Sequence, residues 1–151
     1  MNTLRKGLNL YYRTSAWLAL ATPALDLGLR LFLANVFFKS GLTKIQTWDS
    51  TLYLFREEYK VPLLPPDFAA WLGTSAELCF PVLLVLGLFG RFGALGLTIL
   101  NAVAAYSYYD SLSEAGRNQH LYWGLLLAVL LFHGTGKWSL DTLLEKRLKQ
   151  V

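Results

Sequence analysis

The stretch Gly73–Gly90, GTSAELCFPVLLVLGLFG, decides how this chain is read. Its length is close to the roughly 20 residues needed to cross a hydrocarbon core of about 30 Å. It holds one carboxylate, Glu77, among residues that are otherwise apolar or small. A lone charge in the middle of such a helix costs about 3 kcal/mol or more in lipid, so Glu77 is expected to face a partner inside a bundle. Its own helical face carries Ala70, Gly73, Thr74 and Pro81, and small residues let a second backbone approach closely. Leu84 and Leu88 continue that face and would suit lipid equally well. Pro81 removes the usual donor to the Glu77 carbonyl and favours a kink beside the carboxylate.

The rest of the chain has the same character. Of 151 residues, 54% are hydrophobic, 16% charged and 15% aromatic, and the mean hydropathy is +0.38. This is one domain's length with a balance that points to lipid as solvent. Four apolar stretches, at about 17–43, 68–89, 92–109 and 119–134, read as four helices, the second and third joined by the tight turn LFGRFG. The expected fold is all-α, a polytopic membrane four-helix bundle. A soluble four-helix bundle is the alternative, but it needs polar outer faces, which WLALATPAL and LLLAVLLF lack.

Arg5, Lys6 and Arg13 precede WLALA in the manner of a signal peptide. Hydrophobicity then runs on to Phe38, so the segment is expected to stay as a first span. Arg5, Lys6, Arg13, Arg91, Lys137, Lys146, Arg147 and Lys149 fall on one side of the four spans, and Lys44, Arg56, Lys60 and Arg117 on the other. The positive-inside rule then makes both termini cytoplasmic in a bacterial inner membrane. Residues 1–16 form a cytoplasmic amino-terminal segment, 17–134 the membrane domain and 135–151 a cytoplasmic tail. The tail's DTLLEKRLKQV reads as a short amphipathic helix on the inner leaflet. In the first extracytoplasmic loop Trp48, Leu52, Phe55 and Tyr59 recur at helical spacing opposite Asp49, Arg56, Glu57 and Lys60, which predicts a short amphipathic helix ended by VPLLPP.

Several chemistries are disfavoured. The single Cys79 can form no intramolecular disulfide and belongs to no CxxC motif. His120 and His133 lie at opposite ends of the fourth span, too far apart to share a metal, so no metal site is expected. No nucleotide-binding loop or Ser-His-Asp pattern occurs. The net charge of +4 is explained by the membrane asymmetry and needs no nucleic acid.

The intramembrane polar residues remain. At about 100° per residue, Asp26, Arg30, Phe37, Gly41 and Lys44 share one face of the first helix, while Asn35 and Lys39 project oppositely. Asn101 lies mid-way along the third span, with Ala94, Thr98 and Ala105 on its face. Arg30 and Glu77 sit near the midpoints of antiparallel spans. This predicts a buried polar network in which Arg30 meets Asp26 and Glu77, with Asn101 completing it. The network either locks helix order or handles protons or a quinol. Near the outer mouth, Lys44, Tyr108, Tyr109, Asp110, His120, Tyr122 and Trp123 gather as an aromatic belt or as a quinone site, in which Lys44, Tyr108, His120, Tyr122 and Trp123 contact the ring. At the other edge, HGTGKWSLD reads as a structural motif. Gly134 and Gly136 end the fourth helix, Trp138 sits at the interface, and Ser139 caps a short helix with Asp141 in its first turn.

The segments LRLFLANVFFKSGLTKI, AELCFPVLLVLGLFGRFGALGL and HLYWGLLLAVLLFHGTGKWSLD, with Asn101 between the last two, resemble the DoxX family of small four-helix bacterial membrane proteins. The resemblance runs from about Leu27 to Leu144. It rests on Arg30, the Gly41 and Lys44 pair, Glu77 before the turn ending at Arg91, and the closing Gly134, Gly136, Trp138, Ser139 and Asp141. It implies an inner-membrane protein that works with partners. The founding member looks like a subunit of a thiosulfate:quinone oxidoreductase, and others are linked to membrane-associated redox or oxidative-stress complexes. Others again are encoded beside secreted, cysteine-rich peptides, their modifying enzymes and metal-stress functions. The extra cysteines of a thiol-active relative are missing here.

Three functions are compatible with these features. One is the membrane subunit or accessory of a redox or stress-related complex, with quinone as candidate cofactor and no catalysis by the chain alone. Another is a non-catalytic anchor or assembly partner for soluble or secreted peptide-modifying and metal-stress proteins. The last is a small transporter. Expected partners are the lipid bilayer, other protein subunits and a second copy of the chain.

Overall fold

The computed structural model describes residues 2–150. Met1 and Val151, the extreme ends of the expected terminal segments, lie outside them. The described residues form six helices and no strand: α1 (Asn2–Gln46), α2 (Trp48–Glu57), α3 (Pro66–Leu86), α4 (Gly90–Ser107), α5 (Glu114–His133) and α6 (Leu140–Leu148). Helix α1 packs on α3, α3 on α4, α4 on α5, and α5 returns to α1. Two helices, α1 and α3, are long and apolar enough to cross a membrane. At the expected third and fourth spans, α4 (18 residues) and α5 (20 residues) carry polar residues within them, Asn101 in one and Arg117, Asn118, Gln119 and His120 in the other.

The first helix differs most from expectation. It does not begin near Trp17 but runs for 45 residues, about 67 Å at 1.5 Å per residue and more than twice the hydrocarbon thickness. Only its second half is packed. Leu4, Leu8, Leu10, Trp17, Leu18 and Leu20 are all exposed, and burial starts at Thr22 and Pro23. The apolar run is continuous across that point, so hydropathy alone carries no sign of where packing begins.

From Pro23 onward, α1 lies antiparallel to α3. Gly41 sets the register, since a side chain there would strike the Glu77 Cβ and the Leu78 side chain at about 3.0 Å. The core is a layer of Leu33, Leu84, Leu97, Leu127 and Leu130, each fully buried, with Ala34, Phe37 and Ala94 beside it. Outside this layer the helices present Leu31, Phe32, Val82, Val85, Leu95, Ile99, Leu125, Val129 and Phe132. That is an apolar exterior suited to lipid, where close packing rather than water exclusion holds helices together. Helix α2 forms where expected. It buries Thr51 and Phe55, while Trp48 packs on Trp71 of α3 with ring centroids 4.4 Å apart and the ring planes tilted by 51°.

At one end of the bundle the tail folds back. Helix α5 ends at His133, and Gly134 and Gly136 take positive φ values of 95° and 75°. Ser139 caps α6 by accepting from the Thr142 amide. Asp141, in the first turn of α6, also reaches another helix. Its two carboxylate oxygens accept from the Phe89 and Gly90 amides at 2.8 and 2.9 Å, satisfying two of the orphan donors at the start of α4. Gly87 ends α3 in the left-handed conformation at φ 62°, and a Cβ there would collide with Arg30 and Ser139.

Candidate ligand site beneath the short second helix

The expected pairing of Arg30 with Glu77 does not form. Arg30 is fully buried and donates to the carbonyls of Leu84, at 3.4 Å, and Trp138. Asp26 and Asp141 are its acidic neighbours. Asp26 is itself buried and approaches His133 at 3.6 Å. These groups join α1, the end of α3 and the tail in one clasp. The reason is register. Gly41 is level with Glu77, so Arg30, eleven residues earlier, is displaced from it by about 16 Å along the axis. Placing the first span from Trp17 put its midpoint at Arg30, whereas the packed half begins at Pro23.

Glu77 is held instead by Lys44. The Lys44 ammonium donates to both carboxylate oxygens at 2.7 Å and to the Ser40 hydroxyl at 2.8 Å, and Ser40 donates to Glu77 Oε1 at 3.1 Å. A charge pair this buried avoids a lone charge in a medium of low dielectric. The inward face of α3 is as its spacing implies: Ala70, Thr74, Glu77, Pro81 and Leu84 are all buried.

Asn101 is buried too, but it serves α5. Its amide nitrogen donates to the His120 carbonyl at 2.9 Å, and its Oδ1 lies 2.8 Å from His120 Nδ1. A carbonyl can only accept, so the amide orientation is fixed and Oδ1 faces the ring. Nδ1 must then carry the proton in the neutral imidazole, which leaves Nε2 as the acceptor. The four residues expected to form one network are therefore all buried but divide into three assemblies: Asp26 with Arg30, Glu77 with Lys44, and Asn101 with His120.

Two of these assemblies border one cavity. It has a volume of about 610 Å³, lies between α1, α3, α4 and α5 beneath α2, and is lined mainly by apolar side chains. Its polar lining includes Ser40, Lys44, Glu77, Tyr59, Ser107 and His120. Trp123 makes an edge contact with the His120 ring at 5.1 Å and with Phe37 at 6.0 Å. Tyr108 lines the outer end, with its hydroxyl donating to Glu58 at 3.2 Å. Of the five residues expected around a quinone ring, Lys44, Tyr108, His120 and Trp123 thus share the cavity. Tyr122 is outside the lining and 60% exposed, because residues next to each other on α5 point about 100° apart.

Three lining groups escaped sequence reasoning. Ser40 stands one turn before Lys44, a spacing that could have identified it. Tyr59 was visible only as part of the apolar face of α2. Burial raises its phenol above the usual 10.0, with Tyr108, Glu58 and Glu77 adding to the effect, so it is a neutral hydrogen-bonding group at physiological pH. Ser107 carried no signal at all. Its hydroxyl is buried without a partner, although its backbone carbonyl accepts from the Lys60 amide at 3.1 Å.

The DoxX family profile matches residues 25–110. A protein of Haemophilus influenzae described as uncharacterised is 40% identical over 126 residues, covering 78% of this chain and 82% of its own length. No solved structure matches the chain. The matched region contains Arg30, Lys44, Glu77 and Asn101, and the chain belongs to the DoxX family of membrane proteins.

Proposed function

We propose that this protein is the membrane subunit or accessory of a redox or stress-related complex in a bacterial inner membrane. In this reading α1, α3, α4 and α5 all cross the bilayer, both termini are cytoplasmic, and the outer cavity receives a quinone ring. The observation that carries it is the meeting of an apolar cavity with the Lys44–Glu77 pair and the oriented His120. A volume of about 610 Å³ suits a drug-sized ring system. The unpartnered Ser107 hydroxyl is a further group that a ligand oxygen would satisfy.

A bound quinone supplies two-electron, two-proton chemistry. The chain's own contribution is to bind and orient. His120 Nε2 would accept a hydrogen bond from a ring hydroxyl or take its proton, the Lys44–Glu77 pair would set the charge beside the ring, and Trp123 and Phe37 would flank it and exclude water. Its electrons would have to come from or go to a partner subunit, since the quinone would be the redox group of this chain's site and the chain would not be catalytic alone. An anchor or assembly role for soluble or secreted peptide-modifying and metal-stress proteins is the second reading. The exposed first half of α1 favours it, a stretch of about 30 Å on which Leu4, Leu8, Leu10, Trp17, Leu18 and Leu20 stand uncovered beside Arg5, Lys6 and Arg13. A small transporter is less well supported, because Arg30 and the five fully buried leucines close the bundle below the cavity.

The test is Glu77→Gln expressed in native membranes, with protein level and quinone-linked electron transfer measured together. The redox reading expects the transfer rate per folded protein to fall at least about tenfold, with the protein level itself lowered because Lys44 loses its charge partner. Unchanged transfer, with soluble proteins still co-purifying, would favour the anchor.

A further inference from the structure

The cavity has a second property beyond its polar wall. Its exposed lining residues are Leu64, Leu72, Ile99 and Ala104. All four are aliphatic, and they lie on α3, on α4 and on the segment leading into α3. No charged side chain stands among them. Leu72 is 50% and Ile99 57% exposed while also lining the interior. The wall between them is built from Gly73 and Ala76 of α3 and Gly96 of α4, with the Phe80 ring of α3 lying on Gly96.

The side toward water is tied shut. Phe55 of α2 and Tyr59, just beyond its end, cover it. The Lys60 amide bonds the Ser107 carbonyl, Tyr108 bonds Glu58, and Arg56 holds Asp67 in a bidentate pair at 2.6 Å. The inner end is closed by the leucine layer.

From this arrangement we infer that the ligand enters sideways from the bilayer through an aliphatic window between α3 and α4, and that its apolar tail remains in that window. The inference rests on the quinone reading and narrows it to a lipid-tailed quinone. A water-soluble molecule of the same ring chemistry would have to cross α2 or partition into lipid first. The tail supplies apolar contact at Leu72 and Ile99, while the ring lies against Lys44, Glu77 and His120.

The window can be tested apart from the ring site. Full-length protein in lipid nanodiscs, with Trp17, Trp48, Trp71 and Trp138 replaced by Phe, reports from Trp123 in the cavity wall. In the first arm the nanodisc lipids carry bromine along the acyl chain, and an open window quenches Trp123. Gly73→Leu adds a side chain where a Cβ meets only Phe55 and Leu100 at 3.8 and 4.0 Å, so it narrows the opening without backbone strain and should reduce the quenching. Ile99→Ala, at an exposed position, widens the opening and should increase it. In the second arm decylubiquinone is compared with ubiquinone-0, which has the same ring and no tail. Gly73→Leu should weaken decylubiquinone about tenfold and leave ubiquinone-0 within about twofold. Equal weakening of the two quinones, or of neither, overturns the window. If neither quinone binds any of these proteins, the ring-binding reading fails. The bromolipid arm then decides alone: quenching that follows the two variants upholds the lateral opening, and quenching that ignores them rejects it.

Discussion

Glu77 and Arg30 each lie inside the bundle, but they answer to different partners. Lys44 neutralises Glu77 within a bidentate contact, whereas Arg30 donates from its two terminal nitrogens to two carbonyls, has Asp26 and Asp141 as its acidic neighbours, and leaves its Nε without a partner. Removing one member of a buried pair strands the other. Lys44→Met is therefore expected to destabilise the protein by about 3 kcal/mol, with Lys44→Met/Glu77→Gln recovering about 1–3 kcal/mol of that loss in unfolding measured in detergent. Arg30→Met combined with Glu77→Gln should be additive within about 0.5 kcal/mol. Coupling between positions 30 and 77, or none between 44 and 77, would contradict the observed pairing. Which residues face inward was legible from helical spacing, since Asp26, Arg30, Gly41, Glu77 and Asn101 are all buried. Which of them meet was not, because that depends on axial register. Register here is set by the close approach at Gly41 and by an α1 whose packed part starts only at Pro23.

At the scale of elements, the amphipathic α2 and the turn between α3 and α4 were readable because local pattern dictates both. The tail was readable only in part. Ser139 caps its own helix, a contact within three residues, whereas Asp141 caps α4 across more than fifty. No local pattern could reveal the second contact. Asp141→Ala should cost about 1–2 kcal/mol by uncapping α4. Hydrogen exchange should quicken at the Phe89 and Gly90 amides and leave the centre of α4 protected. Unchanged exchange at those two amides would show that the carboxylate does not cap α4. The same contact explains why Gly87 and Arg30 share one small space: the clasp fastens the end of α3, the start of α4 and the tail to α1.

For the molecule as a whole, the division between halves is the main result. One half is a close-packed leucine layer and a polar clasp that fix helix order, and the other is a cavity in which Ser40, Lys44, Glu77 and His120 are held in set orientations. Composition identified lipid as the solvent, but a cavity is a property of helix spacing and left no trace in hydropathy. Its residues come from five helices and include Ser107, which no motif singled out. The most direct test of the account is the quinone content of the protein after purification in mild detergent, measured against folded Glu77→Gln and His120→Leu variants prepared in the same way. The account predicts near-stoichiometric quinone in the wild type and a loss of at least about tenfold in each variant. Equal quinone in all three proteins, or none in the wild type, would contradict the cavity's assignment as a quinone site.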